Sequence, residues 1–130
     1  MQNSVKKNKT GMIETKKIVE EIIKGMQERK AKKIVVVDMT NLEERACDYF
    51  VICEGSSNTQ VMAIADEMED YVRKSVREKP FAIAGRENAE WIAVDYGDIM
   101  AHVFLPESRE FYDIEHLWED AHLIEVPDLD

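Results

Sequence analysis

Asp95 and His102 are the residues in this chain whose types and spacing most invite a chemical reading. They lie in WIAVDYGDIMAHVF, residues 91–104, where Gly97-Asp98 separates two alternating apolar runs. Glycine at the first loop position suits a two-residue hairpin turn, and such a turn sets the register of its strands. Tyr96 then faces Ile99, Asp95 faces Met100, Val94 faces Ala101, Ala93 faces His102, Ile92 faces Val103 and Trp91 faces Phe104. Side chains alternate between the two faces of a strand. Ile92, Val94, Tyr96, Ile99, Ala101 and Val103 share one face, which carries no charge and reads as core. Trp91, Ala93, Asp95, Met100, His102 and Phe104 share the other. Asp95 and His102 are diagonal neighbours on it, within reach of each other. A carboxylate that orients an imidazole makes a general base, but that base needs a nucleophile or a metal, and nothing nearby in the sequence supplies one. The competing reading is a sticky surface: large apolar groups with a few polar anchors make a binding hot spot.

Three other groupings could do chemistry. EGSSNT, Glu54 to Thr59, lies between an apolar run and a helical pattern, where backbone amides can cradle a phosphate. Gly55-Ser56 also resembles the opening of a nucleotidyltransferase signature. Such enzymes need two acids alternating on the next strand to hold Mg²⁺ against the transferred phosphates. Asp66, Glu67, Glu69 and Asp70 all fall on the following helix instead, FAIA has no acid, and Asp95 and Asp98 straddle a turn. A simple helix start is the stronger reading, with anion binding at Gly55-Ser56 as the other. His116 and His122 stand six apart with no cysteine beside them, which is not metal-ligand spacing. Cys47 and Cys53 match no zinc or redox motif, and Cys53 reads as a small core residue.

The elements that position these residues follow from periodicity. Ile18, Val19, Ile22, Ile23 and Met26 recur on one face of a helix from about Met12 to Arg29, which Gly25 weakens by about 1 kcal/mol relative to alanine. KKIVVVD, ending at Asp38, is a strand whose unbroken branched run suits cover on both faces. YFVICE, Tyr49 to Glu54, is a second strand. Ser57 and Gln60 have capping-box spacing at the start of a helix from about Asn58 to Arg77, with Val61, Ile64, Ala65, Met68 and Val72 buried. Arg73, Lys74, Arg77 and Lys79 suit the negative end of that helix, and Pro80 stops it. FAIA is a short strand, the hairpin follows, and a last helix spans about Arg109 to Asp120 with Ser108 as its cap. Its stripe of Phe111, Tyr112, Ile114, Leu117 and Trp118 packs in the core or shares in a dimer contact. The order α-β-β-α-β-β-β-α indicates a mixed sheet with helices packed on it.

The chain has 130 residues, enough for one domain with a real core. Its 45% apolar and 34% charged residues are those of an ordinary soluble protein. A net charge of −10 repels nucleic-acid backbones and suits a basic protein partner, so no direct reading of nucleic acid is expected. No run approaches the ~18 apolar residues of a membrane helix, and the polar start lacks a signal-peptide core. With reduced thiols, this points to a cytoplasmic home. The domain plan is a loose arm over residues 1–11, one domain over 12–122, and a fraying acidic tail over 123–130.

Three blocks, DYFVICEGSSNTQVMAIADE, WIAVDYGDIMAHVF and SREFYDIEHLWEDA, in order and at matching spacing, resemble the Iojap-like family of ribosomal silencing factors. With KKIVVVDMTNL and the first helix, the likeness covers nearly everything after residue 11. It implies an α/β (α+β) single domain, a mixed β-sheet flanked by helices, related to nucleotidyltransferases without their catalytic acids. It implies no enzyme activity, no cofactor and no metal. It implies binding to ribosomal protein L-fourteen of the large ribosomal subunit, with a steric block to joining of the small subunit and lowered translation. Organellar relatives assist ribosome assembly instead. Carried over by position, the partner-binding residues are Trp91, Asp95, Tyr96, Asp98, Met100, His102 and Phe104, with Trp91 and Phe104 supplying most of the affinity. Some members have leucine where Tyr96 stands. Family members can form dimers, and the apolar last helix offers a homodimer contact.

Overall fold

A computed structural model describes residues 14–129, so the arm expected over residues 1–11 lies outside the described residues. The chain folds as α1 (Thr15–Glu28), β1 (Lys32–Asp38), β2 (Tyr49–Glu54), α2 (Asn58–Val76), β3 (Ala82–Ala84), β4 (Trp91–Asp95), β5 (Ile99–Phe104), α3 (Pro106–Tyr112), a 3-10 turn (Ile114–His116) and β6 (His122–Val126). The strands form one sheet in the order β3-β4-β5-β2-β1-β6. Only β2 and β5 are parallel, joined by the crossover through α2.

The sheet has two unlike faces. α1 and α2 cover one, where Ile22, Met26, Val61, Ile64, Met68 and Val72 lock onto Val36, Val51, Ile92, Val94, Ala101 and Val103. The α2 stripe is the expected one, extended by Val76. Gly25 has a positive use in this layer: a Cβ on it would lie 2.8 Å from the Met68 Cα, so the missing side chain that costs helix propensity is also what lets α1 and α2 approach. Glu21 is buried beside it, bonded to the Ser75 hydroxyl and 3.1 Å from the Lys24 ammonium. Burial alone would raise its pKa; the Ser75 and lysine contacts hold it below the usual carboxylate value. β1 and β2 are covered on both sides, which explains their unbroken apolar runs: Val35, Val37, Phe50 and Ile52 face away from the helices.

The hairpin closes in the expected register, with Trp91 opposite Phe104 and Asp95 opposite Met100. Gly97 has φ +90, and the Tyr96 N–H donates to the Ile99 carbonyl at 2.8 Å. The capping box forms with a shift. Ser57 Oγ accepts from the Gln60 N–H at 3.1 Å, while Gln60 Oε1 reaches back to the Ser56 amide, one residue early. α2 ends at Arg77, in the left-handed conformation, three residues before Pro80, so that proline is not its stop.

The C-terminal third departs from the sequence reading. α3 begins at Pro106, not Arg109: proline at the first helical position needs no N–H acceptor and outweighs Ser108. It ends at Asp113, again left-handed, and only a 3-10 turn follows. The expected acidic tail is in fact β6, which pairs antiparallel with β1 from Asp38↔His122 to Ile34↔Val126. HLIEV is an edge strand with mostly exposed side chains, so it lacks the burial pattern that marks β1 and β2. Beyond it, the Lys33 N–H donates to the Asp128 carboxylate at 2.8 Å.

A half-covered aromatic face as candidate binding site

Among the described residues, the sheet face turned away from α1 and α2 has no full helical cover. The connection after β1 contributes Met39, Leu42 and Cys47, and the chain after α3 contributes Ile114, Trp118 and Ala121. Phe50 and Trp118 meet edge to face at 5.5 Å. What remains open is centred on Trp91. Its indole stacks on Phe104 at 4.9 Å and meets Tyr112 at 4.8 Å, and Tyr112 meets Phe111 at 5.0 Å. Phe111, Tyr112 and Leu117 are 80%, 50% and 59% exposed. Most of the stripe expected to pack the last helix into the core therefore stands at the surface, and only Ile114 is buried. Phe111 and Tyr112 join Trp91 in space although ~20 residues separate them in the chain, a pairing no local pattern signals.

Trp91, Asp95 and Met100 are half-buried on this face and Asp98 is exposed at the hairpin tip. The other expected contact residues sit elsewhere. Phe104 is fully buried beneath Trp91, because α3 folds back directly after it; it supports the indole and offers a partner no area. Tyr96 is on the α2 side, its hydroxyl 3.7 Å from the Met68 sulfur, as strand alternation requires. His102 is 3% exposed within Phe50, Phe104 and Trp91.

The Asp95–His102 diagonal does not form a dyad. The Asp95 carboxylate accepts from the Gly97 N–H at 2.7 Å, which braces the turn. His102 uses its other diagonal: Trp91 Nε1–H donates to His102 Nδ1 at 3.0 Å. Burial among aromatic rings pushes the imidazole down to about 4, so it is neutral at pH 7. A base of that strength, shut away from solvent, is poorly suited to general base work.

The remaining candidates are structural. Gly55 N–H donates to the Phe104 carbonyl at 2.9 Å, and Ser56 N–H and Oγ both donate to Gln60 Oε1, at 2.6 and 2.8 Å. The first two amides of that loop are thus already engaged. Gly55 itself packs on α2, where an added Cβ would lie 3.1 Å from Ile64. Asp66, Glu67, Glu69 and Asp70 are on α2, away from any strand. His116 and His122 are exposed, and among the described residues no three His, Cys, Asp or Glu gather as a metal site. Cys47 and Cys53 are buried free thiols, each with its pKa raised by burial, Cys47 to about 11. No described helix is long and apolar enough to cross a membrane.

One residue that pattern reading missed holds the C-terminal segment in place. Arg109, on α3, is 9% exposed. It donates to Glu115 at 2.8 and 3.3 Å, to Glu54 at 3.2 Å and to the Lys33 carbonyl at 2.7 Å. Burial alone would weaken its hold on the proton; Glu115 and Glu54 more than reverse this. β1, β2, α3 and the 3-10 turn thus meet at one guanidinium.

Comparison with known proteins places this geometry. The family model described as "Ribosomal silencing factor during starvation" matches residues 12–130, the β6 segment included. Ribosomal silencing factor RsfS of Bacillus subtilis is 38% identical, over 76% of this chain and 82% of its own. That of Halalkalibacterium halodurans is 35% identical, over 80% and 87%. The mouse protein "Mitochondrial assembly of ribosomal large subunit protein 1" is 32% identical over 77% of this chain but only 44% of its own. A crystal structure of a Chromobacterium violaceum protein superposes with a TM-score of 0.76 at 33% identity, covering 82% of this chain and 87% of the other. The bacterial relatives carry the name of a regulator rather than of an enzyme. On the family match and these identities, the chain belongs to the ribosomal silencing factor family.

Proposed function

We propose that this protein binds ribosomal protein L-fourteen on the large ribosomal subunit through the Trp91 face and sterically blocks joining of the small subunit, without catalysing a reaction. One observation carries the reading: a half-buried tryptophan, flanked by Tyr112 and exposed Phe111, stands on a sheet face that the described residues leave partly open. Apolar aromatic surface of this kind is where binding energy concentrates. Asp95 and Asp98 border it at the hairpin tip, and the net charge of −10 favours encounter with a basic partner. Trp91, Met100, Asp95 and Asp98 are the direct contacts in this reading; Phe104, His102 and Tyr96 support them from inside. The engaged amides of Gly55 and Ser56 argue against a nucleotide-handling enzyme.

The test is co-sedimentation of the purified protein with isolated large subunits, wild type against Trp91→Ala. Half-buried Trp91 stands at the rim of the core, so the variant should keep its fold by circular dichroism and lose binding by ~100-fold or more, the scale of an aromatic hot spot. A folded variant that binds like wild type would move the interface elsewhere. The mouse relative's name favours a second reading, assistance to large-subunit assembly through the same face. Binding to precursor particles but not to mature subunits would select it.

A further inference from the structure

Trp91 and His102 are joined by a bond whose direction can be read. An indole nitrogen only donates, so His102 Nδ1 must be the unprotonated acceptor and the neutral ring carries its proton on Nε2. That Nε2–H is buried and meets no acceptor among the described residues. An orphaned buried donor destabilises a fold, whereas an apolar side chain in this aromatic box would carry no such penalty. Stability alone therefore does not account for the pair. Orientation does. Stacking on Phe104 and contact with Tyr112 restrain the tilt of the indole but give its N–H no directional partner. A hydrogen bond 3.0 Å long, to an acceptor held by Phe50 on another strand, supplies that direction.

We propose that His102 is a positioning residue of the binding face, holding the Trp91 indole in its docking orientation by accepting a hydrogen bond at Nδ1. This rests on the reading of the Trp91 face as the ribosome contact. A pre-oriented anchor binds more tightly because its ordering cost is met before the partner arrives.

The test uses the full chain with His102→Leu, which removes the acceptor, and His102→Asn, whose amide oxygen can replace Nδ1. Two quantities are read: the indole N–H resonance of Trp91, identified by its loss in Trp91→Ala, and the Kd for isolated large subunits. His102→Leu should shift the resonance towards that of a water-exposed indole and speed its exchange with solvent. It should weaken binding about tenfold, the scale of one hydrogen bond, without lowering the unfolding midpoint. His102→Asn should bring both readouts back towards wild type. In a Trp91→Ala background, His102→Leu should cost nothing further. An unmoved indole resonance, a binding loss that persists without Trp91, or failure of His102→Leu to fold would each overturn the proposal. If wild type does not bind large subunits at all, the ribosome reading itself falls and the docking role with it. That outcome is distinct from binding by wild type with an indole that ignores residue 102.

Discussion

Taking the protein from pH 7 to pH 5 should cost about 2 kcal/mol of stability through His102 alone. In the unfolded chain its imidazole titrates near the usual histidine value of 6.5; in the fold, burial moves it to about 4. Between those values the unfolded state binds more protons than the folded one, so stability falls as pH falls. The contribution is complete above the unfolded value, is mostly lost by pH 5, and levels off below pH 4 at a total near 3 kcal/mol. The rings that line His102 belong to Phe50, Trp91 and Phe104, and none can offset a positive charge with its own. Protonated Nδ1 would also confront the Trp91 N–H donor, so the indole must let go. Other groups titrate on acidification. Glu21, Asp38 and Asp70 have lowered values and lose their contributions in the acid range. Exposed His116, raised by its bond to Asp113, works weakly in the opposite sense. The His102→Asn variant subtracts all of these. Urea unfolding of both proteins at pH 7, 6 and 5 should show the wild type losing about 2 kcal/mol more than the variant. Parallel pH profiles for the two proteins would refute the claim that a neutral, buried histidine shapes this stability.

Arg109→Ala should destabilise the fold by about 3–5 kcal/mol, because Glu54 and Glu115 would be left half-buried without their cation. Hydrogen exchange should rise first at Tyr112 and Ile114, on the segment Arg109 ties down; uniform exchange along the chain would argue against that local role. Gly85→Ala should cost on the order of 3 kcal/mol. Gly85 has φ +93, and an added Cβ would fall 2.0 Å from the Trp91 carbonyl oxygen, so the start of β4 must shift. A melting temperature within a degree of wild type would show that the turn relaxes freely.

The hairpin was legible because its signals agree. A glycine turn, two alternating runs and one charge-free face admit a single register, and the fold adopts it. α2 was legible for the same reason, since its stripe and its cap coincide. The chain after Phe104 was not, because its signals conflict. The apolar spacing of Phe111, Tyr112, Ile114, Leu117 and Trp118 mimics a long amphipathic helix. The left-handed turn at Asp113 breaks it, and neither glycine nor proline marks the place. β6 carries four acids within or just around it and buries little, so its strand character comes from pairing with β1 and not from its own pattern. Within the candidate site, alternation identified which residues share a face with Trp91. It could not say how deep each would lie. Depth depends on what packs above, and that is set by residues far along the chain.

That difference in depth bears on how the face works. Phe50, His102 and Phe104 form a buried floor, and Trp91, Met100 and Tyr112 a rim that remains accessible. A sheet with helices on one side must close its other side or leave apolar area in water, at a cost of roughly 25 cal/mol for each Å². Here the floor is covered by the connection from Met39 to Cys47 and by Ile114 and Trp118, drawn in by Arg109. Among the described residues that cover leaves Trp91 partly exposed, although Phe111 and Leu117 are apolar enough to extend it. They point outward instead, and the aromatic area continues across the surface. A chain selected for stability alone would turn these side chains inward. In the proposed reading, keeping them out at a standing cost suits a surface that spends part of its time against a partner.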